Sequence, residues 1–547
     1  MKRIFLPLVF ASLPIFAIAC SSSSSSSSNN DSPNINSLDA DASAVGDPDV
    51  GATPPPSVQV ELALSPPHLE MRPNSTASVQ INVTRQGVAV PCLATLDGLP
   101  AGVKAAPVMI ARDASSATAT LVSDSTVVPG STARVHVRCV LGIATLALDI
   151  LGPAGSIDTD YGDQGKAIGT VTFGAGNAHF GPDLHVARQS NGKLVAVGEV
   201  YTSSSDFGVA RYNEDGTLDT TFGTGGRVAT DIGSNTADHP LDVTIQPDGK
   251  IIVVGSTGET TGDFAIVRYN ADGTLDTSFD TDGKVVSSFS ANMDRAVGVA
   301  VQADGKIVVA GDIANGTSFL FARYTPDGAL DTTFNSAGSV SLPGNYARAM
   351  TIQPDGKMIV VGNSGDDMQV VRITSAGILD TTFDSDGVKS IDFNGFIDNA
   401  RTVTLQSDGK ILMLGSAGIS STDERFGIVR LLPNGDLDTT FNTTGKVTID
   451  GPSGDFGRSL AVQADGKILA AGGGVYTGSA TDFYIARLTA NGELDPTFDE
   501  DGRVYVSFGG STYNIATNLF LLPHGRILAA GFALSPVFAP TFVRLWQ

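Results

Sequence analysis

The sequence is poor in several residue types that mark particular classes of protein. Its 547 residues include one tryptophan, three cysteines and six histidines. The histidines are scattered and form no recognisable metal motif: His68, His136, His179, His185, His239 and His524. No nucleophile elbow, phosphate-binding loop or zinc motif is found in the sequence either. Signals of catalysis are therefore sparse, and no cofactor is predicted from them.

Basic residues are also few relative to acidic ones. Lysine and arginine number 34 against 57 aspartates and glutamates, which gives a formal net charge of −23. A nucleic-acid partner is excluded, because neutralising phosphates needs a basic surface. With 62 glycines and 41% apolar residues, the composition favours short strands and tight turns over helices. The length suits roughly two to four domains.

The N-terminus has the pattern of an export signal. Lys2 and Arg3 precede an apolar run, Ile4 to Ala19, that is too short to span a bilayer as a mature helix. Small residues followed directly by Cys20 resemble the lipobox of bacterial lipoproteins. The resemblance implies cleavage of residues 1–19 and a diacylglycerol on the sulfur of Cys20. The expected location is the cell envelope, at the outer membrane or cell surface, and the alternative is a plain secretory signal.

Residues 20–56 have the composition of a tether. Ser21 to Ser28 form an unbroken serine run, and a stretch rich in Asp, Ser and Pro continues to Pro56. Such a segment buries too little apolar surface to offset chain entropy, so we expect it to be disordered. It serves either as a stalk or as low-complexity sequence without a selected length.

Residues 57–152 predict a small antiparallel sandwich. Apolar and polar residues alternate in Val58–Leu62 and Ser78–Val83, with proline and glycine between the runs. The phrase Leu96–Val103 resembles one common in bacterial immunoglobulin-like surface domains, which implies that fold here. Cys92 and Cys139 are the two cysteines left after Cys20. An exported protein favours a disulfide between them over two buried free thiols.

Residues 153–547 contain three motifs, each present seven times. The first, as in Leu275–Phe279, contains an aspartate; the second, as in Gln246–Lys250, contains a turn glycine; the third, as in Phe264–Tyr269, contains an arginine. The aspartates are Asp158, Asp219, Asp276, Asp331, Asp380, Asp438 and Asp495. The glycines are Gly192, Gly249, Gly305, Gly356, Gly409, Gly466 and Gly525. The arginines are Arg211, Arg268, Arg323, Arg372, Arg430, Arg487 and Arg544.

These motifs resemble the delta-60 repeat, a bacterial family whose members are regarded as β-propellers. The resemblance extends from Ser156 to the C-terminus. Two copies depart from it: Leu522–Arg526 replaces the Gln-x-Asp-Gly-Lys turn in the seventh copy, and Met368 replaces a phenylalanine in the fourth. We expect these departures to change details of single blades and not the fold.

The strand pattern predicts a propeller independently of the family resemblance. Each unit offers four strands, for example Leu241–Gln246, Lys250–Ser256, Asp263–Asn270 and Lys284–Phe289. The second and third strands are apolar on both faces, as in blades that stack on neighbours at both faces. The sequence therefore predicts an all-β protein: an immunoglobulin-like sandwich followed by a seven-bladed β-propeller closed by an N-terminal strand.

The order of the motifs predicts how the ring closes. The repeats begin with a lone fourth strand near Lys166–Phe173 and end after a third strand at Leu545, so the first strand should complete the last blade. Six of the arginines precede a motif aspartate by eight residues, which predicts a structural ion pair in each unit. Arg544 and Asp158 are left to pair across the two ends.

Ligand binding is expected on the face that carries the variable loops, such as Ser416–Arg425 and Ser290–Asp294. Arg348, Arg401 and Arg458 stand at one equivalent position in the innermost strands, and Arg295 stands two residues earlier in its own repeat. Together they predict a ring of arginines at the channel mouth that binds an anionic ligand. The alternative is local pairing with the aspartates Asp294, Asp398 and Asp455.

Paired carboxylates before a glycine offer a possible calcium site. The pairs are Asp280 with Asp282, Asp384 with Asp386, and Asp499 with Asp501. Their spacing suits ligation of Ca²⁺ by oxygen, but Gly223 and Asn442 stand at the first position in other copies. Turn chemistry alone also explains Asp and Gly there.

These observations favour a lipid-anchored, monomeric cell-surface protein that binds or displays a protein or glycan without catalysis. Seven near-identical motifs make a poor asymmetric catalytic site, which leads us to interpret them as scaffold. The alternatives are an extracellular hydrolase or lyase on the variable face and a structural component of the envelope. Convergent carboxylates at the channel mouth would favour an enzyme, and aromatic or polar loop tips would favour binding.

Overall fold

The structure is a computed structural model. It describes residues 59–547 apart from 87–89, 140–141, 170, 174–179, 181–183, 202–203, 234–235, 259, 421–422, 452–454, 476–480, 510–512 and 535–536. These residues belong to one compact unit, Ser57–Gln547. The predicted signal peptide, Cys20 and the tether lie outside the described residues. Within them every long regular element is a β-strand, and no helix is long and apolar enough to cross a membrane.

The first nine strands form two sheets that face each other. They are β1 (Gln59–Ser65), β2 (His68–Met71), β3 (Thr76–Gln86), β4 (Cys92–Asp97), β5 (Val103–Ala105), β6 (Val108–Ile110), β7 (Ser116–Ser123), β8 (Thr132–Cys139) and β9 (Gly142–Ile150). One sheet has the order β1-β3-β7-β5 and the other β2-β9-β8-β4-β6. The prediction of a purely antiparallel sandwich is wrong at one place, because β2 runs parallel to β9.

Alternating strands build the core of this sandwich. Val79 and Ile81 of β3 point inward with Val135 and Val137 of β8, and all four are fully buried. The residues between them point to solvent, as a half-buried strand requires. A disulfide joins the two buried cysteines Cys92 and Cys139, whose Cα atoms are 5.6 Å apart. The bridge ties β4 to β8 within one sheet.

The described part of residues 153–547 forms seven four-stranded sheets. Six of them are consecutive along the chain, each built of four strands in order. They are β11 (His185–Arg188), β12 (Leu194–Tyr201), β13 (Ser205–Tyr212), β14 (Arg227–Thr230); β15 (Asp238–Ile245), β16 (Ile251–Thr257), β17 (Asp263–Tyr269), β18 (Lys284–Ser287); β19 (Arg295–Val301), β20 (Ile307–Ile313), β21 (Ser318–Tyr324), β22 (Ser339–Leu342); β23 (Asn345–Ile352), β24 (Met358–Ser364), β25 (Asp367–Ile373), β26 (Val388–Ile391); β27 (Asn399–Leu405), β28 (Ile411–Ser420), β29 (Asp423–Leu431), β30 (Lys446–Ile449); β31 (Phe456–Val462), β32 (Ile468–Val475), β33 (Thr481–Leu488) and β34 (Arg503–Val506).

The seventh sheet joins the two ends of this region. It contains β10 (Lys166–Ile168), β35 (Asn514–Leu522), β36 (Arg526–Leu534) and β37 (Phe538–Trp546), in the order β10-β37-β36-β35. Lys166 pairs with Val543 and Ile168 with Thr541, antiparallel. β10 ends earlier than the predicted Lys166–Phe173. The next residue, Gly169, packs against the ring of Tyr212, and the Tyr212 hydroxyl donates to the Gly169 carbonyl oxygen at 2.9 Å.

The seven sheets form a closed ring around their first strands. Each first strand contacts the first strand of the following sheet, and β35 contacts β11. The middle strands are buried on both faces, for example every residue from Ile251 to Ser256 in β16 and from Phe264 to Tyr269 in β17. Side chains on both faces of these strands therefore pack against neighbouring sheets, and this is why the strands are continuous apolar runs.

Candidate functional site

A β-bulge recurs in the first strand of six sheets, at the position where the strand enters the ring. The register shifts lie between Pro240 and Asp242, Ala296 and Gly298, Asn345 and Ala349, Ala400 and Thr402, Gly457 and Ser459, and Ala516 and Asn518. A bulge leaves one residue without a cross-strand partner and re-aims its side chain. In five sheets the residue left without a partner is a single one: Leu241, Val297, Arg401, Arg458 or Thr517. In β23 the irregularity is longer and leaves Tyr346, Ala347 and Arg348 without partners. Arg348 and the five single residues all line one central cavity.

The cavity has a volume of about 300 Å³ and is lined by residues of all seven first strands. Arg348, Arg401 and Arg458 come from three consecutive sheets, so they form an arc on one side. Leu241 and Val297 stand at the same register position on the other side. One side of the wall thus carries three guanidinium groups, and the other carries two apolar side chains and the carboxylate of Asp242. Seven identical repeats would not produce this arrangement.

Arg295 does not belong to this arc, contrary to the prediction. Its guanidinium binds the fully buried Asp312 of the neighbouring strand, with Nη2 2.9 Å from Oδ2 and Nε 3.2 Å from Oδ1. It lies two residues before the bulge, and Val297 occupies the position that faces the cavity. The two-residue offset seen in the sequence therefore separates a lining residue from one that pairs within its sheet.

A second layer of polar side chains links neighbouring sheets inside the cavity. Asp242 Oδ2 accepts a hydrogen bond from the Val299 amide at 2.9 Å. In the same way Ser459 accepts from the Leu519 amide at 3.0 Å. Burial raises the pKa of the Asp242 carboxyl to about 7, because its two backbone donors only partly offset the loss of solvent. Sequence reasoning missed this residue, since a single aspartate in an alternating strand carries no motif.

Buried aspartates hold the loops that lead into the first strands. Asp294 Oδ2 accepts the amides of Phe289 and Ser290 at 2.8 Å each, and Asp294 is fully buried. Asp398 accepts the amide of Gly418 at 2.9 Å in the same manner. Asp455 is also fully buried, and burial raises the pKa of its carboxyl to about 7. Asp294 fixes the loop before its strand in this way, and Asp398 does the same by accepting the amide of Phe393 at 2.7 Å.

Exposed aromatic side chains lie at strand ends and in loops of the face where the arginines enter. They are Tyr201, Tyr346, Phe396 and Tyr513. Tyr346 has a φ of 49°, in the left-handed region that a bulky residue seldom adopts. The guanidinium carbons of Arg295 and Arg348 lie 5.9 and 6.0 Å from its ring centre. At the channel mouth an exposed aromatic ring, that of Tyr346, therefore lies beside two guanidinium groups.

The repeats match one protein family. Six segments fit its model, described as "Domain of unknown function (DUF5122) beta-propeller": residues 189–222, 246–279, 302–334, 353–383, 406–441 and 463–498. Each segment runs from the turn glutamine of one motif to the phenylalanine of the next. Six repeats of the chain therefore match a β-propeller family. No curated protein matches the chain.

Several solved structures resemble the chain distantly. A protein of unknown function from Dyadobacter fermentans is 12% identical, with 70% of this chain and 98% of that chain covered and a TM-score of 0.38. A protein from Lactobacillus plantarum is 12% identical, covering 66% and 98%, at a TM-score of 0.36. An ulvan lyase of polysaccharide lyase family 25, bound to -[GlcA(1-4)Rha3S]-, is 11% identical, covering 67% and 95%, at 0.37. TM-scores this low carry no argument about function.

The repeated charged residues of the propeller form a scaffold of ion pairs. Asp276 Oδ2 binds Arg268 Nε at 2.7 Å and Lys250 Nζ at 2.8 Å, and Asp276 Oδ1 accepts the Ser278 hydroxyl at 2.7 Å. The same group recurs around five further aspartates: Asp219, Asp331, Asp380, Asp438 and Asp495. The arginine half follows from the sequence spacing. The lysine half was missed, although the turn motif ends on that lysine.

These groups also connect successive blades. Arg268 Nη1 donates to the Pro326 carbonyl of the next blade at 2.5 Å, and Arg430 Nη1 donates to that of Ala490 at 2.6 Å. At the ends of the ring, Arg544 Nε lies 2.7 Å from Asp158 Oδ2. Arg526, which replaces the turn lysine in the seventh copy, binds the same oxygen at 2.7 Å. The motif residues therefore hold the fold together.

The carboxylate pairs proposed for calcium lie in turns whose backbone explains their residue type. The first position has φ between 45° and 53° in seven copies: Gly162, Gly223, Asp280, Asn335, Asp384, Asn442 and Asp499. Only Gly, Asn and Asp adopt this left-handed conformation readily. The second aspartates cap the turn: Asp282, Asp386 and Asp501 accept the amides of Lys284, Val388 and Arg503 at 2.9 Å each. Within the described residues none of the six belongs to a group of three or more ligating side chains.

Proposed function

We propose that the protein is a seven-bladed propeller that binds an anionic ligand, carried by a glycan or a protein, without catalysing a reaction. The observation that carries this proposal is the arc of Arg348, Arg401 and Arg458 in the central cavity. The bulges that aim these side chains recur in the ring, but arginine occurs there in only three of the described blades.

The cavity suits a carboxylate or sulfate group. Guanidinium groups bind such anions through paired hydrogen bonds, and a walled cavity strengthens the attraction over that at an open surface. Asp242 is the single carboxylate among the lining residues in the described part of the chain, so the net charge of the wall favours anions. The exposed aromatic rings around the mouth, Tyr346 among them, offer flat apolar faces against which a sugar can pack.

The test measures binding of charged and uncharged forms of the same polymers by the full chain. Polygalacturonate and dextran sulfate serve as anionic probes, with methyl-esterified polygalacturonate and dextran as their uncharged counterparts and polyglutamate as a protein-like anion. We expect at least one anionic probe to bind more than about tenfold tighter than its counterpart, with affinity falling as salt rises.

The triple variant R348Q/R401Q/R458Q should lose this binding. A matched control, R112Q/R134Q/R227Q, makes the same change of net charge at arginines that do not line the cavity. The proposal fails if no anionic probe binds, or if the two triple variants bind equally. Preference for polyglutamate over both glycans would identify a protein as the ligand.

An extracellular lyase or hydrolase is the second candidate, and Asp242 is the observation that favours it. A carboxyl with a pKa near 7 can take up or release a proton at neutral pH, and His185 lines the same cavity. Incubation of the full chain with polygalacturonate would then release unsaturated or reducing sugar ends. Activity lost in Asp242→Asn would establish this candidate, and its absence leaves the binding function.

The setting we propose for the propeller is the bacterial cell surface. Sequence patterns support it: the lipobox-like Cys20, the serine-rich tether of residues 20–56, an immunoglobulin-like spacer of residues 57–152 and repeats that resemble the delta-60 family. Metabolic labelling with a fatty-acid analogue should mark the protein and not Cys20→Ala. An unlabelled wild-type protein would show that the N-terminus is a plain secretory signal.

A further inference from the structure

The sandwich meets the propeller at the turn between β35 and β36. The Leu151 amide donates to Met71 at 2.7 Å, and the amide of Gln547 donates to Gly525 at 2.7 Å. Arg72 of the sandwich donates through its guanidinium to the carbonyl groups of Gly152 and Gln547. These contacts hold the ends of β9 and β2 beside the C-terminal residue Gln547, which in turn bonds the turn that contains His524.

Three side chains with metal-binding atoms converge at this junction. His68 Nε2 lies 2.9 Å from Asp149 Oδ2, and His524 Nδ1 is hydrogen bonded to the same oxygen. The three ligating atoms all lie within 4.8 Å of one another. The two imidazole rings meet edge to face, with centres 5.9 Å apart. Asp149 is buried, with 7% of its side chain exposed, whereas His68 and His524 are 40% and 51% exposed.

His524 is the residue that departs from the repeat. At the equivalent position of the other turns stands Asp or Asn, whose side chain accepts an amide two residues later, as Asp248 accepts that of Lys250 at 3.1 Å. In the first copy Asn191 accepts the Lys193 amide at 3.1 Å. Histidine gives up this turn bond and, at a φ of 59°, points its ring to Asp149. The seventh turn has thus exchanged a local bond for a contact with the sandwich.

We infer that His68, Asp149 and His524 bind a zinc ion that joins the sandwich to the propeller. Two imidazole nitrogens and one carboxylate oxygen form a donor set that Zn²⁺ takes, with a water in the fourth position. This donor set does not suit calcium or magnesium, since each of these ions needs about six oxygen ligands. Zn–N and Zn–O bonds of about 2.1 Å put tetrahedral ligands roughly 3.4 Å apart. His68 Nε2 and Asp149 Oδ2, now 2.9 Å apart, would therefore lie about 0.5 Å farther apart around the ion.

Binding should stabilise the junction, because the ligands come from both halves of the described chain. His68 and Asp149 belong to the sandwich, and His524 belongs to the last blade. A metal that binds only the folded arrangement raises the midpoint of unfolding in proportion to the logarithm of its concentration.

The test uses the full chain without a histidine tag, stripped with a chelator and titrated with ZnCl₂ by calorimetry. We expect one ion per chain and a rise in the thermal midpoint. His524→Asn introduces the residue that the first copy has at this position of the turn. It should weaken zinc binding by more than about 100-fold, which exceeds the loss expected for a residue that only hydrogen bonds to a metal ligand. His68→Gln should do the same, and His136→Gln, a sandwich histidine outside the cluster, should leave binding unchanged.

Cobalt supplies an independent readout, since tetrahedral Co²⁺ absorbs strongly in the visible range and octahedral Co²⁺ does not. Titration with CoCl₂ should give the tetrahedral band in the wild type and in His136→Gln, and not in His524→Asn. The inference is overturned if the folded wild type binds no zinc at micromolar concentration, or if His524→Asn binds zinc as tightly as the wild type. Circular dichroism verifies that each variant is folded.

Discussion

Arg544 and Asp158 are 386 residues apart in the sequence, yet Arg544 Nε lies 2.7 Å from Asp158 Oδ2. The pair joins the last complete strand of the ring to the segment that precedes its first strand. Arg526 binds the same oxygen, so one carboxylate with 1% of its side chain exposed holds two arginines of the seventh sheet. This group stands where the other sheets have an aspartate with one lysine and one arginine.

The ring closure depends on the charge of Asp158. Asp158→Asn should lower the free energy of unfolding by about 3 kcal/mol, because two arginines lose their shared anion in a buried place. Asp163→Asn, at an exposed position of the same loop, is the matched control and should have little effect. Differential scanning fluorimetry measures both. Equal thermal midpoints for Asp158→Asn and the wild type would show that the pair does not hold the ring.

Acid should destabilise the propeller through its motif aspartates. Burial opposes ionisation of Asp438, but hydrogen bonds from Thr440 and Lys410 outweigh it and lower the pKa of its carboxyl to about 2. Asp380 and Asp495 have pKa values lowered to about 2 in the same way. A lowered folded pKa contributes stability above the unfolded value near 4, and this stability is lost as pH falls toward 2.

Thermal midpoints recorded from pH 6 to pH 2 test this expectation. The midpoint should rise from pH 6 to about pH 4, because Asp242 and Asp455, whose pKa values are raised to about 7, take up protons in the folded state before they do so in the unfolded chain. Below about pH 4 it should fall steeply as the motif aspartates lose their charge. Asp438→Asn should start lower and show a shallower fall, since one of the titrating groups is gone. A midpoint that stays constant down to pH 2.5 would contradict the role of these ion pairs.

The turn at Asp280 should tolerate loss of its charge. Asn stands at the equivalent position in two other copies, and it adopts the same left-handed backbone conformation. Asp280→Asn should therefore change stability by less than about 0.5 kcal/mol, whereas Asp280→Val should cost more than about 1 kcal/mol. Both measurements are made with CaCl₂ and with a chelator. A calcium-dependent midpoint in the wild type that Asp280→Asn abolishes would instead establish the calcium site.

The arc of arginines should be extendable by one blade. Val297 is the bulge residue of the blade before Arg348 and lines the same cavity. Val297→Arg should tighten binding of the anionic probe by about tenfold, which corresponds to ~1.4 kcal/mol. Val297→Met has a long side chain without charge and is the control. If the arginine weakens binding, or if both substitutions act alike, the ligand does not contact this register position.

Much of the fold is readable from the sequence because its determinants are local and repeated. The positive φ of the turns requires Gly, Asn or Asp, and strands with two buried faces are apolar throughout. The ion pair between Arg544 and Asp158 was predictable, because in six other copies the arginine precedes its aspartate by eight residues. The parallel pairing of β2 with β9 was not, since nothing in two short strands fixes the direction of their partner.

The candidate site was harder to predict from the sequence, because it depends on which residue each bulge turns toward the cavity. Arg295, which binds Asp312, lies two residues before Val297, which lines the cavity. The convergence of His68 with His524 was hidden by the length of sequence between them. The one signal in the sequence was the loss of the turn aspartate in the seventh copy.

A crystal structure of the full chain with a short oligomer of the bound anionic probe tests the proposed function most directly. The account predicts a carboxylate or sulfate of the ligand inside the central cavity, within about 3 Å of guanidinium nitrogens of Arg348, Arg401 or Arg458. A ligand bound elsewhere on the surface, with the cavity unchanged at a concentration that saturates binding in solution, would contradict it.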